Sequence, residues 1–384
     1  MRLSRNRIRA RVNHDLPIRF SEESISAHGG LELFRRYLVA IDLPARLRRA
    51  LGDAGDYGAV RMVLLVVGLL LAGGRRLAHL AVLSHDPIFL RFAGVHRLPA
   101  DRTVARWMAG AAQTVIEAVA SVVRDVAHEA IDSLGLARLT LDLDGTVLRV
   151  CGSAEGAERG FNPHHPKDRS YYPLTAHLAQ TGHLLRSWNR PGNVHDSHNA
   201  DGFLRTVLAD LRARFGNRHR LEVRLDGAFF DPKILHFLDG ESLGYAIKVP
   251  LWKWLGVREK IASRRQWTRV DGTVSGFALT LAIPQWERTQ RVIVYRKRVF
   301  HETARNFQLD LFSPDDGHFE YSAVATNLNL GVAALWHFMA GRGGHEKTLG
   351  ELKQHLAFDA IPSRDRQTNE LWQQLSILTH NLVR

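Results

Sequence analysis

The spacing of apolar residues changes near residue 135, and a chain that switches from one period to another can be neither all-helical nor all-β. Upstream, Leu31 to Leu51, Val60 to Leu71 and the Ala- and Val-rich run Val115 to Ile131 carry the helical period, with Gly and Pro breaks between them. Downstream, Leu139-Thr140-Leu141-Asp142-Leu143-Asp144 alternates apolar and polar residues, the period of a strand with one face packed. Strands are expected again at Tyr172 to Ala179 and His183 to Trp188, turning at Thr181-Gly182, and a helix near Asn199 to Phe215. Leu221 to Leu225 then repeats the alternation before Asp226-Gly227. Two more strand-like runs, Val274 to Ile283 and Arg291 to Val299, flank a Pro284-Gln285-Trp286 break.

Both alternating segments end in a carboxylate. Asp144 and Asp226 stand at strand ends, where an active-site rim would hold them, and Asp142 shares a face with Asp144. A third acid comes by another geometry. Arg342, Glu346, Leu349 and Lys353 are spaced i, i+4, i+7 and i+11, one stripe of a helix in which two cations flank a carboxylate. Gly341, Gly343 and Gly344 delay the start of that helix to about His345. Carboxylates drawn from separate elements are how a protein holds divalent magnesium against a phosphodiester, while Arg and Lys hold neighbouring phosphates. A solvated face of i,i+4 pairs is the competing explanation of the stripe.

Asp144-Gly145-Thr146, then Asp226, then Arg342-x3-Glu346-x6-Lys353 resembles the DDE transposases of bacterial insertion sequences, in the subgroup with a Tyr-x2-Arg-x3-Glu-x6-Lys signature. Gly160-Phe161-Asn162-Pro163, Arg190-Pro191-Gly192-Asn193, Thr326-Asn327-Leu328, Asn369-x2-Trp372 and Leu378-Thr379-His380-Asn381-Leu382 agree with it, so the resemblance spans roughly residues 20 to 384. It implies an RNase H-like (retroviral-integrase-like) mixed sheet with flanking helices, a β-rich insertion and an N-terminal all-helical domain. It favours Asp144 over Asp142 and makes Asp144, Asp226 and Glu346 both catalytic and metal-binding, around two magnesium ions for which manganese can substitute. The implied reaction is cleavage at transposon ends and strand transfer into target DNA, by cut-and-paste through a hairpin. The implied partners are the terminal inverted repeats and target DNA, with a homodimer assembled on DNA. Met339 stands at the signature Tyr position. That departure raises one alternative, a catalytically silent DNA-binding derivative; an RNase H-like nuclease without strand transfer is open independently of it.

Charge supports the same partner. With 52 Lys and Arg against 39 Asp and Glu, the formal charge of +13 concentrates a polyanion whatever its sequence. Residues 1–20 carry six arginines against Asp15 and are expected to form a basic arm. Residues 21–135 are expected to be a helical DNA-binding domain, 136–250 and 321–384 the two parts of the catalytic core, and 251–320 the β-rich insertion. A helix beginning near Asp101 carries Arg102 and Arg106 at i,i+4 and would suit a major groove. In the insertion, Trp286 and Trp267 offer flat surfaces for a flipped base, and Arg291 sits in a basic run facing DNA. His164-His165 and His195-x2-His198 read as loop residues near the DNA path rather than zinc ligands. The single Cys151 excludes an internal disulfide and fits a reducing compartment, so a cytoplasmic, nucleoid-associated protein is expected. No membrane is expected, because the apolar stretch Met62 to Ala72 is too short to cross one.

Overall fold

The computed structural model describes residues 25–52, 55–160, 162, 165–299 and 318–384. The arm expected over 1–20 lies outside them. The described chain opens with helices α1 (Gly30–Ala40), α2 (Leu43–Leu51), α3 (Ala59–Leu71), α4 (Pro87–Ala93), α5 (Asp101–Ala109) and α6 (Gln113–Leu134), with a 3-10 turn at Leu77–Leu83. The helical pattern from Leu31 to Leu51 is two helices, because Asp42 takes a left-handed φ of 57° and Pro44 sits in the first turn of α2. The apolar run of α3 is buried on nearly every face and packs on α2 and α4. Gly68 is required there, since a Cβ would fall 2.8 Å from the ring of Phe92. Among the described residues no helix is long and apolar enough to cross a membrane.

A long mixed sheet follows. Its strands are β1 (Arg138–Gly145), β5 (Leu174–Leu178), β6 (Leu184–Trp188), β7 (Arg220–Leu225), β8 (Gly244–Lys248), β9 (Thr268–Arg269), β10 (Val274–Ile283), β11 (Arg288–Val299) and β12 (His318–Thr326). A small second sheet holds β2 (Leu148–Val150), β3 (Glu158–Arg159) and β4 (Arg169–Tyr171). The large sheet runs in the order β6-β5-β1-β7-β8-β12-β11-β10-β9. On one side of β1, β5 pairs antiparallel with it and β6 antiparallel with β5; on the other, β7 pairs parallel with β1 and β8 parallel with β7. Parallel neighbours need crossovers, which α7 (Ala200–Phe215) and α8 (Pro232–Gly240) supply. This arrangement is RNase H-like. β12 pairs with β8, so β9 to β12 of the β-rich segment prolong the large sheet. A short helix α9 (Val257–Ser263) lies between β8 and β9.

Three helices close the chain: α10 (Val332–Ala340), α11 (Gly343–Leu356) and α12 (Arg366–Val383). α12 is buried over most of its length and packs on α6 and α3, so the N-terminal helical core is completed by the last segment of the chain. Its polar residues act as clamps. Asn381 accepts from the Leu184 amide (3.0 Å) and donates to the Leu184 carbonyl (2.8 Å), pairing with edge strand β6 as another strand would. Trp372 donates to the Ala357 carbonyl (2.8 Å), fixing the end of α11.

Beside that clamp, His183 and His380 are buried and their pKa values are pushed down to about 4, by burial first. Both are held neutral when folded, while the unfolded chain takes up their protons near pH 6.5. The stability they contribute is therefore complete above pH 6.5 and is lost as pH falls towards 4, on the order of 3 kcal/mol for each. Thermal melts across pH 7 to 4 should show this loss, and His183→Gln with His380→Gln should flatten it.

Candidate active site

β1 and β7 are registered with Asp142 opposite Arg224, so the residues two further on, Asp144 and Asp226, come out side by side at the same end of the sheet. α11 starts at Gly343, earlier than the glycines suggested, and brings Glu346 to that edge in its first turn. Arg342, the residue before α11, reaches all three acids. Its Nη2 is 3.1 Å from Asp144 Oδ2 and 3.8 Å from Asp226 Oδ2, and its Nη1 is 3.8 Å from Glu346 Oε1. The carboxylates thus converge on one guanidinium rather than on one another. Arg342 is 7% exposed and Glu346 is 70% exposed, so the site is a buried cation with an acid at its rim. Asp226 is further fixed by accepting from the Ala228 amide (2.9 Å). The Asp144 pKa is pushed up to about 7: burial raises it most, Asp226, Asp196 and Glu346 add to the rise, and Arg342 opposes it.

Asp142 is a different kind of residue. It is fully buried and takes a bidentate pair from Arg224, Nε and Nη2 each at 2.7 Å. Burial opposes its ionisation, but His177 and Arg224 hold its pKa below the usual carboxylate range. The His177 ring lies 3.8 Å away, beyond a hydrogen bond, so Arg224 is the direct tie. Arg224 also donates to the Phe338 carbonyl (2.6 Å) at the end of α10. His345 and Thr348 from α11 meet Thr175 and His177 of β5, each at 3.2 Å. A buried polar layer under the site therefore joins β1, β5 and β7 to α10 and α11, on either side of Arg342.

Asp196 and Tyr172 are neighbours of the triad that sequence reasoning did not place there. Tyr172 donates to Asp196 (2.9 Å), and a Cβ at Gly145 would collide with both side chains, which is why glycine follows Asp144. Burial raises the pKa of Asp196 and of Tyr172. Arg190 is buried, lies 3.6 Å from Asp196, and donates to the carbonyls of Tyr172, His195, Asp196 and His198. Arg190-Pro191-Gly192-Asn193 was visible as a motif; its contacts were not, because they cross between loops.

The remaining sequence candidates scatter. Lys353 donates to the Val147 carbonyl (3.1 Å), and burial lowers its pKa. Arg291 is not free for DNA: its two terminal nitrogens donate to the carbonyls of Leu328 (2.7 Å) and Leu330 (2.6 Å), because the turn before α10 needs those groups satisfied. Arg102 and Arg106 are exposed on α5. Trp267 is half-buried beside edge strand β9, packing on Phe277 and under Arg296. Trp286 is half-buried against Phe230 and Trp254. The exposed rings beside it are Trp252 and Trp254, stacked 5.5 Å apart at 20°. Their Trp-Lys-Trp spacing after Pro250 was the available signal. Met339 is buried in an apolar cluster with Tyr295 and Leu335. His195 bonds Ser197 (2.9 Å), and His164 lies outside the described residues.

Among the described residues no group of three or more His, Cys, Asp or Glu is already set to hold a metal ion. The donor chemistry nonetheless fits one, since Asp144, Asp226 and Glu346 offer only oxygen and already gather around a positive charge, the Arg342 guanidinium standing in for a cation. The chain matches the family model described as Transposase DDE domain group 1 over residues 9–384. No curated protein matches it. Among solved structures it is similar to the piggyBac transposase in a synaptic complex with hairpin DNA, at 10% identity and a TM-score of 0.46, covering 92% of this chain and 73% of that one. It is also similar to the Mos1 transposase in a paired-end complex with the left transposon end, at 10% identity and a TM-score of 0.23, covering 75% of this chain and 79% of that one. Likeness at those scores carries no weight beside the sheet order and the family match.

Proposed function

Because the chain belongs to the DDE transposase family, domain group 1, we propose that it cuts DNA at transposon ends and joins the freed ends to target DNA, by cut-and-paste through a hairpin. The observation that carries this reading is the convergence of Asp144, Asp226 and Glu346, from three separate elements, on the buried Arg342. In this reading the three carboxylates hold two divalent cations, magnesium or in its place manganese. Bound there, the ions would supply an acidified water for the first cut and a counter-charge for the leaving 3′ oxygen. Asp144 and Asp226 are fixed by their strands, while the exposed Glu346 adjusts at the rim. Arg342, among the acids, and Lys353, farther along α11, would position phosphates. The 3′-OH released by the first cut attacks the opposite strand to form the hairpin, and after its opening attacks target DNA. Each transfer forms one phosphodiester bond as it breaks another, so no nucleotide cofactor is needed.

The helical unit over 21–135 would bind DNA, the core over 136–250 and 321–384 would do the chemistry, and 251–320 would present Trp286 beside the exposed Trp252 and Trp254 to a displaced base. A homodimer on DNA brings two ends together, in the bacterial cytoplasm at the nucleoid. A second reading has one observation in its favour: Met339, buried among apolar side chains, stands where the insertion-sequence signature has a phenol, as a DNA-binding derivative that does not cut would allow.

Incubating the purified chain with the DNA that flanks its reading frame, in magnesium or manganese, separates these outcomes on a denaturing gel. Hairpin-ended and joined products are expected. Nicks without joining would leave a nuclease, and binding without any cut in either metal would leave the silent derivative.

A further inference from the structure

Away from the triad, a cleft of about 750 Å³ opens between the helical unit, the small sheet and the link from α11 to α12. Arg75, Arg76, Arg102, Arg149 and Arg364 line it against two acids, Asp101 and Asp359. The arginines divide by what they touch. Arg75 holds the end of α11, donating to the Lys353 carbonyl (2.7 Å) and to Asp359 (2.6 Å), and Arg149 pairs with Asp168 (2.6 Å). Arg76, Arg102 and Arg364 are exposed, and their guanidinium groups have no hydrogen bond or ion pair among the described residues. Three unneutralised cations brought together from segments far apart in sequence give one concavity a positive potential that draws in a polyanion.

The position of the cleft gives it a direction. α11 carries Glu346 at its first turn, Lys353 near its last, and then the carbonyls that Arg75 grips. At about 1.5 Å per residue the helix spans roughly 10 Å from Glu346 to Lys353. A DNA strand engaged at the carboxylates and followed along α11 therefore arrives at the cleft within a few nucleotides.

We propose that this cleft is a second DNA site, binding the phosphate backbone of the duplex next to the cut through Arg76, Arg102 and Arg364. The inference rests on the transposase reading and adds to it where the flanking duplex lies. It also gives Arg102 a part as a backbone contact rather than a base reader.

The chain carries its own probe, since the single cysteine, Cys151, is exposed in the wall of the cleft. Alkylation of the native protein by a maleimide dye should slow at least about fivefold when a short duplex saturates it, with saturation followed independently by fluorescence anisotropy. Replacing Arg76, Arg102 and Arg364 by Ala together should flatten the salt dependence of binding by roughly two to three units of slope. The same change at Arg212, Arg214 and Arg218, on another face, should leave that slope nearer its original value. Duplex binding with Cys151 reacting at its free rate would overturn the cleft while leaving the transposase reading intact, as would equal losses in the two triple variants. Failure of the native chain to bind any duplex would overturn both.

Discussion

Replacing Asp226 by Asn should lower strand cleavage at least about 1000-fold, roughly 4 kcal/mol of transition-state stabilisation, while duplex binding changes by no more than about twofold. The substitution keeps size and the hydrogen bond that Asp226 accepts from the Ala228 amide, so the strand end keeps its shape. What it removes is one of the negative charges gathered around Arg342. Binding should survive because attraction to DNA comes from the formal charge of +13, which the variant raises by one. Glu346→Gln should behave alike, since Glu346 is exposed and supports no packing. Cleavage on a denaturing gel beside anisotropy for binding reads both quantities. Asp226→Asn cutting within tenfold of the native chain would remove Asp226 from the site. Asp142→Asn is the informative contrast, because its carboxylate is buried against Arg224 and its loss should appear first as a lower melting temperature.

Much of this site was legible because period-2 alternation fixes both a strand and the face that each residue takes. β10 runs over Val274–Ile283 as the alternation marks it, and the two strands ending at Asp144 and Asp226 came from the same signal. Alternation could not separate Asp142 from Asp144, which share a face. The difference is made by the partner strand, where Arg224 stands opposite Asp142, and a register between strands some 80 positions apart is not a local property. The surroundings of Arg291 were hidden for the same reason: composition marks a basic strand but not the carbonyls of Leu328 and Leu330 to which this guanidinium donates. That β9 to β12 extend the large sheet was not legible either, because the pairing with β8 is made by β12, far along the chain from β8. α12 carries a helical period in Leu371, Leu375, Leu378 and Leu382, but the burial of its polar residues as well, Asn381 against β6 among them, depends on partners far away in the chain.

The largest effect on stability should come from Arg224. Arg224→Met leaves Asp142 ionisable, fully buried and without its bidentate partner, and leaves the Phe338 carbonyl without a donor. Loss of one member of such a pair costs about 3–5 kcal/mol, because the remaining charge keeps its desolvation penalty and loses its compensation. Asp142→Leu should cost a similar amount by stranding the guanidinium. The double variant Asp142→Leu with Arg224→Met should regain most of the loss, to within about 2 kcal/mol of the native chain, since an apolar pair of similar volume leaves no buried charge behind. Denaturant melts of the four proteins close the cycle, and a double variant as unstable as the sum of the singles would mean that the two side chains do not depend on each other. The regained stability should not regain cleavage. Arg224 also ties the sheet to Phe338 near the end of α10, four residues before Arg342, and with that tie gone Arg342 and Glu346 are no longer held over Asp144 and Asp226. A double variant that melts like the native chain but cuts poorly would thus separate the two duties of one guanidinium, charge balance below the site and placement of the helix above it.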